Sequence, residues 1–167
     1  MKKLKSLFLL ILCGVMFLTF AVGSTGASNS TKKANVKTYG LDDDIYINST
    51  SGNYRIRFTD VTETSNRNQF SDVKADRVII IEYEYENISY EDSLYVSSLN
   101  LKVYDKNNNQ LESYPATNTK YGGSVAEGRK TTASIAYALN SDDDYVEIEY
   151  YDNMFHSTPD CKVVLRW

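Results

Sequence analysis

The segment that decides the fold is VIIIEYEYE, residues 78–86. On one side of an extended chain it places only large apolar or aromatic side chains, Ile79, Ile81, Tyr83 and Tyr85. The other side begins with Val78 and Ile80 and continues with glutamates. Because successive side chains of a strand point to opposite faces, the pattern predicts a strand buried on both faces at its start and open to water on one face at its end.

Shorter segments with the same period of two lie on both sides of this one, separated by turn-forming residues. The further strand candidates are residues 44–48, 54–61, 99–103, 110–114, 131–139, 145–151 and 161–167. No amphipathic helix longer than two turns is evident. The sequence therefore predicts an all-β fold, an antiparallel immunoglobulin-like β-sandwich of about seven to nine strands.

The N-terminus has the three parts of a secretory signal: lysines at the start, an apolar run over 7–22, and then small residues. We predict a signal helix and signal peptide over 1–27, a flexible leader over 28–38 and the sandwich domain over 39–167. Cleavage fits after Ala27 or Gly23. An uncleaved anchor and lipidation at Cys13 are the alternatives, although Leu12 before Cys13 is not the small residue that lipoprotein processing requires. The predicted location is secreted or extracellular, or anchored at the cell surface.

Composition excludes several classes of function. Without Lys2, Lys3 and Lys5, the chain has 15 basic and 22 acidic residues, whereas a nucleic-acid binder needs clustered cations. One histidine and two cysteines argue against a metal or thiol enzyme. Cys161 would be the only cysteine of the mature chain, so no internal disulfide can form, and its alternating apolar context predicts a buried side chain.

Two kinds of acidic motif could bind a metal. Residues 105–109, DKNNN, begin like a calcium loop, but Gln110 and Ala116 replace the glycine and glutamate that such a loop needs, so we predict a hairpin turn. The triplets 42–44 and 142–144 are expected to be solvated loops, with calcium binding open if they converge. We predict no metal and no cofactor.

Catalytic patterns are weak. His156-Ser157 is the only neighbouring base and nucleophile, and adjacent residues of an extended chain point apart. The more suggestive feature is a candidate interaction face, provided that strands 78–86 and 145–151 share one sheet. It comprises Glu82, Glu84, Glu86, Tyr145, Glu147, Glu149 and Tyr151. Tyrosine combined with charge suits protein recognition, and an ordinary solvent-exposed face is the alternative.

Several of these segments together resemble a known group of proteins. They are YRIRFTDV (54–61), YEYEN (83–87), LKVYD (101–105), VAEG (125–128), AYAL (136–139) and VEIEY (146–150). In order and spacing they resemble the small exported telokin-like, immunoglobulin-type sandwiches of Gram-positive bacteria, a group similar in structure to the mycobacterial secreted immunoprotective antigen. The resemblance implies the fold and an exported address, and no shared activity. The Asn-rich turn and the missing lipoprotein motif depart from the group.

We therefore expect a non-catalytic, monomeric binding module that recognises a protein or cell-wall partner, with a basic partner favoured by the acidic surface. A membrane would be contacted only through an uncleaved or lipidated N-terminus, and nucleic acid is not expected as a partner. Two alternatives stay open: an inhibitor or immunity-type protein that blocks a secreted hydrolase with the loop 114–128, and a hydrolase that uses paired carboxylates.

Overall fold

The computed structural model describes residues 35–167, which contain eight strands and one short 3₁₀ turn joined by loops. The strands are β1 (Thr38–Tyr39), β2 (Ile45–Ser49), β3 (Gly52–Thr64), β4 (Arg77–Asn87), β5 (Leu101–Tyr104), β6 (Lys130–Leu139), β7 (Tyr145–Tyr150) and β8 (Cys161–Arg166), and the 3₁₀ turn is Ser98–Asn100. One sheet has the order β1-β8-β7-β5 and the other has the order β2-β3-β4-β6. All strand pairs are antiparallel except β1 with β8. The predicted all-β sandwich is confirmed.

The predicted signal over 1–27, with Cys13, and most of the leader lie outside the described residues. The last leader residue, Thr38, is already the first residue of β1, and the Lys162 N–H donates to the Lys37 carbonyl over 3.0 Å. Within 35–167 no helix is long and apolar enough to cross a membrane.

Strand β4 has the two-part character that its sequence predicts. Its inward side chains enter the main core, and the outward Val78 and Ile80 are buried as well. They are covered by a smaller cluster that includes Tyr114 and Ala136. This end of β4 is therefore buried on both faces, whereas the glutamates of the other end remain partly accessible.

The two sheets pack against each other through their inward side chains. Fully buried Ile56, Phe58 and Ile148 belong to the core, where each side chain of this size contributes roughly 1.5–3 kcal/mol on burial. The Tyr54 and Tyr150 hydroxyls meet across the sandwich at 2.7 Å, one from β3 and the other from β7. Antibody domains carry an inter-sheet disulfide for this kind of link; here a hydrogen bond joins the sheets.

Cys161 is buried and makes no disulfide. Burial, with Asp160 nearby, raises the pKa of its thiol to about 12. The prediction of a small buried apolar side chain is confirmed, and the thiol is protonated at neutral pH.

Two local predictions are wrong. Leu99 does not point inward, because the Ser97 hydroxyl and the Asn100 side chain cap the 3₁₀ turn and direct Leu99 into solvent, where it is 65% exposed. Residues 110–114 do not form a strand; after a bridge from Gln110 to Tyr104 the segment crosses to the edge of β6. There the Tyr114 N–H donates to the Ala136 carbonyl over 2.7 Å.

The turn 105–109 is held by Asp105, as expected of a hairpin turn. Its carboxylate accepts the backbone N–H groups of Asn107 and Asn109, each over 2.8 Å. Asn108 adopts a φ of 62°, a conformation that asparagine tolerates better than most residues.

Candidate functional site

The predicted interaction face is divided between two sheets. Strand β4 lies between β3 and β6, and β7 lies between β5 and β8 in the other sheet. Because both strands turn their apolar side chains into the shared core, their glutamates point in opposite directions. The condition for a single interaction face, that both strands share one sheet, is therefore not met, since the alternation within a strand does not say which sheet the strand joins.

We name the two outer surfaces by their residues. The Arg–Glu face, on the sheet that contains β4, comprises Asp44, Arg55, Arg57, Glu82, Glu84, Glu86, Lys120 and Lys130. The Tyr–Lys face, on the sheet that contains β7, comprises Lys102, Tyr104, Tyr145, Glu147, Glu149, Tyr151, Lys162 and Arg166.

Arg55 is the centre of the Arg–Glu face. It lies opposite Glu86 in the register of β3 and β4, and its side chain is 11% exposed. The guanidinium contacts Asp44 at 2.7 Å, Glu84 at 2.6 Å and Glu86 at 2.8 Å. A guanidinium presents five N–H donors in a planar fork, which allows it to serve three carboxylates at once.

The remaining charges of this face are paired too. Lys130 contacts Glu84 at 3.0 Å, and Lys120 contacts Glu82 at 3.2 Å. Partial burial opposes ionisation of Glu84, but hydrogen bonding and attraction by Lys130 and Arg55 outweigh it and hold the pKa below its ordinary value. Four carboxylates of this face are therefore paired with four cations. Exposed Asp60, opposite Glu82 in the register, forms no salt bridge within residues 35–167, so this side of the sheet keeps one unpaired carboxylate.

The Tyr–Lys face is organised around Glu149. The Tyr151 hydroxyl donates to this carboxylate over 2.8 Å, and the Tyr104 hydroxyl lies 3.4 Å from it. Lys162 contacts Glu147 at 2.6 Å and Glu149 at 3.4 Å.

Two cations of the same face lie over aromatic rings. The Lys102 ammonium is 4.4 Å from the centre of the Tyr151 ring, and the Arg166 guanidinium is 4.6 Å from the centre of the Tyr145 ring. With Lys162, these cations exceed the two carboxylates in number, so this face is not acidic.

Part of each acidic triplet forms ion pairs: Asp44 in the first, and Asp142 and Asp143 in the second. Asp44 binds Arg55 and Arg57, and both arginines hold its pKa below the ordinary value, with Arg55 having the larger effect. Lys106 contacts Asp143 at 2.9 Å and also pairs with Asp142. Across residues 35–167, no three His, Cys, Asp or Glu side chains are grouped so that they could hold a metal ion.

The loop 114–128 runs along the edge of β6, where the Ser134 N–H donates to the Lys120 carbonyl over 2.9 Å. The Tyr85 hydroxyl donates to the Gly123 carbonyl over 2.7 Å, and a bridge joins Leu94 to Val125. Gly122 packs so closely that an added Cβ would lie 2.6 Å from the Tyr85 hydroxyl oxygen. Beside these residues a cleft of about 260 Å³ opens, and Tyr121 at its rim is 95% exposed.

A second cleft, of about 400 Å³, lies at the end of the sandwich where β2 turns into β3. Leu99, Met154 and Phe155 line it and are exposed, and Asp152 contributes a carboxylate. We call this the Phe155 cleft. The alternating pattern of the strands does not predict this cleft. The sequence does contain an indication of it, because residues 152–160, DNMFHSTPD, place two large apolar residues among turn-forming ones.

His156 lies in this same turn and is exposed. Its backbone N–H donates to the Asn153 carbonyl over 2.9 Å. Among the described residues, no carboxylate accepts a hydrogen bond from its ring. The structure does not assemble His156 and Ser157 into a catalytic triad.

The fold is similar to that of solved bacterial proteins. The secreted protein MPT63 of Mycobacterium tuberculosis matches with a TM-score of 0.62 and 11% identity, over 80% of this chain and 99% of MPT63. The yjhA protein of Bacillus subtilis matches with a TM-score of 0.54 and 17% identity, over 77% of this chain and 98% of its own. A putative lipoprotein of Bacillus subtilis, ycdA, matches with a TM-score of 0.56 and 12% identity, over 75% of this chain and 38% of its own. At these identities the likeness concerns the fold alone.

No curated protein matches the sequence. A family model does match, over residues 28–152, which is most of the chain and includes strands β1 to β7. The chain therefore belongs to the family described as domain of unknown function DUF5067.

Proposed function

We propose that the protein is an exported or cell-surface module that binds a protein or cell-wall partner and catalyses no reaction. The predicted signal over 1–27 supports export. So does the likeness in fold to a secreted mycobacterial protein and to a putative lipoprotein.

One contrast carries the proposal: several side chains able to do chemistry are held in ion pairs or buried, while large apolar side chains are exposed to solvent beside one cleft. Asp44 and Glu84 are held by arginine and lysine, and Cys161 is buried. Phe155 and Leu99, by comparison, are 87% and 65% exposed beside one cleft. Apolar side chains that group together in solvent are typical of interaction sites.

The experiment is retention of the purified protein on two supports: cell walls from the producing organism and its immobilised extracellular proteins. We expect saturable retention on one of them, which excess unlabelled protein displaces. Failure to bind either support saturably would contradict the proposal.

A second candidate function, inhibition of a secreted hydrolase, is favoured by Tyr121. This side chain protrudes from a loop whose backbone is fixed by Tyr85 and Gly122, and a rigid loop loses little conformational entropy on binding. If the protein inhibits a secreted lysozyme or protease, Tyr121→Ala should abolish the inhibition. Tyr46→Ala, at an exposed position of β2, should leave it unchanged.

The carboxylate hydrolase remains an alternative from the sequence, and we have no observation that favours it. It would gain support if the substitution of a single Asp or Glu removed a hydrolytic activity without changing the melting temperature.

A further inference from the structure

The Phe155 cleft presents apolar side chains on a backbone that is held in place. The Phe155 N–H donates to the Asn153 side chain over 3.0 Å, and Asn100 donates to the Tyr151 carbonyl over 2.9 Å next to the Leu99 turn. Leu99 and Phe155 are thus exposed because their own turns fix them outward. Such preorganisation lowers the entropy lost when a partner binds.

The same cleft lies in an acidic part of the surface. No lysine or arginine occurs in the three chain segments at the cleft, residues 49–51, 90–100 and 152–160. Arg129, which directly precedes β6, does not line the cleft. These segments carry four carboxylates, Glu91, Asp92, Asp152 and Asp160. None of the four forms a salt bridge with any residue of 35–167, in contrast to most carboxylates of the two sheet faces.

Asp152 is the carboxylate that lines the cleft, and it is oriented by the core. The buried Tyr54 hydroxyl donates to its Oδ1 over 2.7 Å, and its N–H donates to Asp160 over 2.7 Å. The hydrogen bond from Tyr54 therefore fixes one oxygen of the Asp152 carboxylate. Asp152 lines the same cleft as Phe155 and Leu99.

From this juxtaposition we infer that the Phe155 cleft docks a basic, amphipathic segment of a partner protein. Its aliphatic or aromatic side chains pack on Leu99 and Phe155, and its lysine or arginine faces Asp152. The inference rests on the proposed binding function and names the surface and the chemistry of the partner. Charge complementarity selects a cationic partner, because the same carboxylates repel anionic lipid or nucleic acid.

The test measures binding of a short, labelled synthetic peptide in which lysine alternates with leucine and tryptophan. A matched peptide carries glutamate in place of lysine, and vesicles of anionic phospholipid are a third arm. The test variant is the double substitution Leu99→Ser with Phe155→Ser. The matched control is Phe70→Ser, since Phe70 is 85% exposed at the opposite end of the sandwich. A second pair compares the double substitution Glu91→Gln with Asp92→Asn against Asp72→Asn.

We expect saturable binding of the lysine peptide, weakened at least about tenfold by the Leu99/Phe155 variant and unchanged by Phe70→Ser. The Glu91/Asp92 variant should weaken binding less and reduce its sensitivity to salt, while Asp72→Asn should not. All variants should keep the melting temperature of the parent protein, because the exchanged side chains are exposed.

Equal binding of the glutamate peptide, preference for the vesicles, or binding that the Leu99/Phe155 variant leaves intact would overturn the inference. The retention experiment separates this failure from that of the proposed function. Retention on walls or extracellular proteins that survives the Leu99/Phe155 variant would refute only the cleft, whereas absence of any retention would refute both.

Discussion

The two outer faces of the sandwich start from similar strand sequences and reach different surfaces. In the Arg–Glu face, β3 and β6 supply arginine and lysine beside the glutamates of β4. In the Tyr–Lys face, the glutamates of β7 are met by one lysine and by tyrosine hydroxyls. The neighbouring strands, and not the charged strand itself, therefore decide whether a row of glutamates is an acidic surface.

The unpaired negative charge of the protein lies mainly outside the two sheet faces. The whole chain has a formal net charge of −4. The carboxylates of both sheet faces are nevertheless paired except Asp60, and further acidic groups without a cationic partner among residues 35–167 are found in loops such as 90–92 and 152–160. A cationic partner would therefore meet the ends of the sandwich rather than its flat sides.

The largest expected effect is that of Arg55→Ala. The substitution leaves Asp44, Glu84 and Glu86 without their shared partner in a place where Arg55 is only 11% exposed. We expect the free energy of unfolding to fall by about 3 kcal/mol, measured by urea denaturation. Lys162→Ala on the Tyr–Lys face is the control and should cost less than about 1 kcal/mol. Equal losses for the two variants would remove the distinction between the faces.

Tyr54→Phe tests the link between the sheets that carry the two faces. It deletes the hydroxyl that meets Tyr150 and donates to Asp152, and leaves the buried Tyr150 hydroxyl without this partner. The expected loss is about 1.5 kcal/mol. Tyr46→Phe, at an exposed β2 position, should cost nothing measurable in the same denaturation experiment. A neutral Tyr54→Phe would mean that the hydrogen bond between the two hydroxyls does not stabilise the contact between the sheets.

The stability of the protein should depend on acid, because two carboxylates of the Arg–Glu face have lowered pKa values. The ordinary values are 3.8 for Asp44 and 4.5 for Glu84. A pKa that is lower in the folded than in the unfolded state stabilises the protein above the unfolded value. That contribution is lost as the pH falls through the folded value. We therefore expect stability to decline below about pH 4.5.

The decline should be shallower in Arg55→Ala, which lacks part of this interaction. It should not vanish, because Arg77 holds the pKa of Glu63 low through a 2.7 Å ion pair elsewhere. Chemical denaturation at a series of pH values provides the measurement. A parallel decline in the parent protein and the variant would show that Arg55 does not set the pKa values of this face.

The smallest expected effect is that of Arg166→Ala. Its guanidinium lies over the Tyr145 ring on an exposed strand end, where such a contact contributes about 0.5 kcal/mol. A shift of the melting temperature of a few degrees at most is expected. A loss as large as that of Arg55→Ala would place a major stabilising contact on the Tyr–Lys face.

Much of the fold was predictable from the sequence, because each sheet buries one face and the side chains of a strand alternate between the two faces. Buried strands therefore show an alternating apolar pattern in the sequence. The half-buried pattern of β4, the hairpin turn at Asp105 and the burial of Cys161 all follow from local rules. These features depend on neighbours along the chain or on a single face, which a sequence displays directly.

The candidate site was less predictable. The assignment of β4 and β7 to different sheets depends on pairings between distant strands, as when Arg55 of β3 comes to lie opposite Glu86 of β4. The exposure of Leu99 depends on a three-residue turn capped by Ser97, which interrupts an otherwise alternating row. The Phe155 cleft needs three separate segments to meet, and their meeting is a property of the folded chain.

The most direct test of the account is a double-mutant cycle between Arg55 and Glu84, whose side chains meet at 2.6 Å, run beside a cycle between Lys162 and Glu147. Each cycle uses alanine substitutions and unfolding free energies, at low salt and at about 0.5 M salt. If the carboxylates of β4 are structural, the Arg55–Glu84 coupling should be at least about 1 kcal/mol and should largely persist in salt, and the Lys162–Glu147 coupling should be smaller and screened. A coupling near zero for Arg55 and Glu84 would contradict a structural role for the glutamates of β4. These carboxylates would then be candidates for binding a partner.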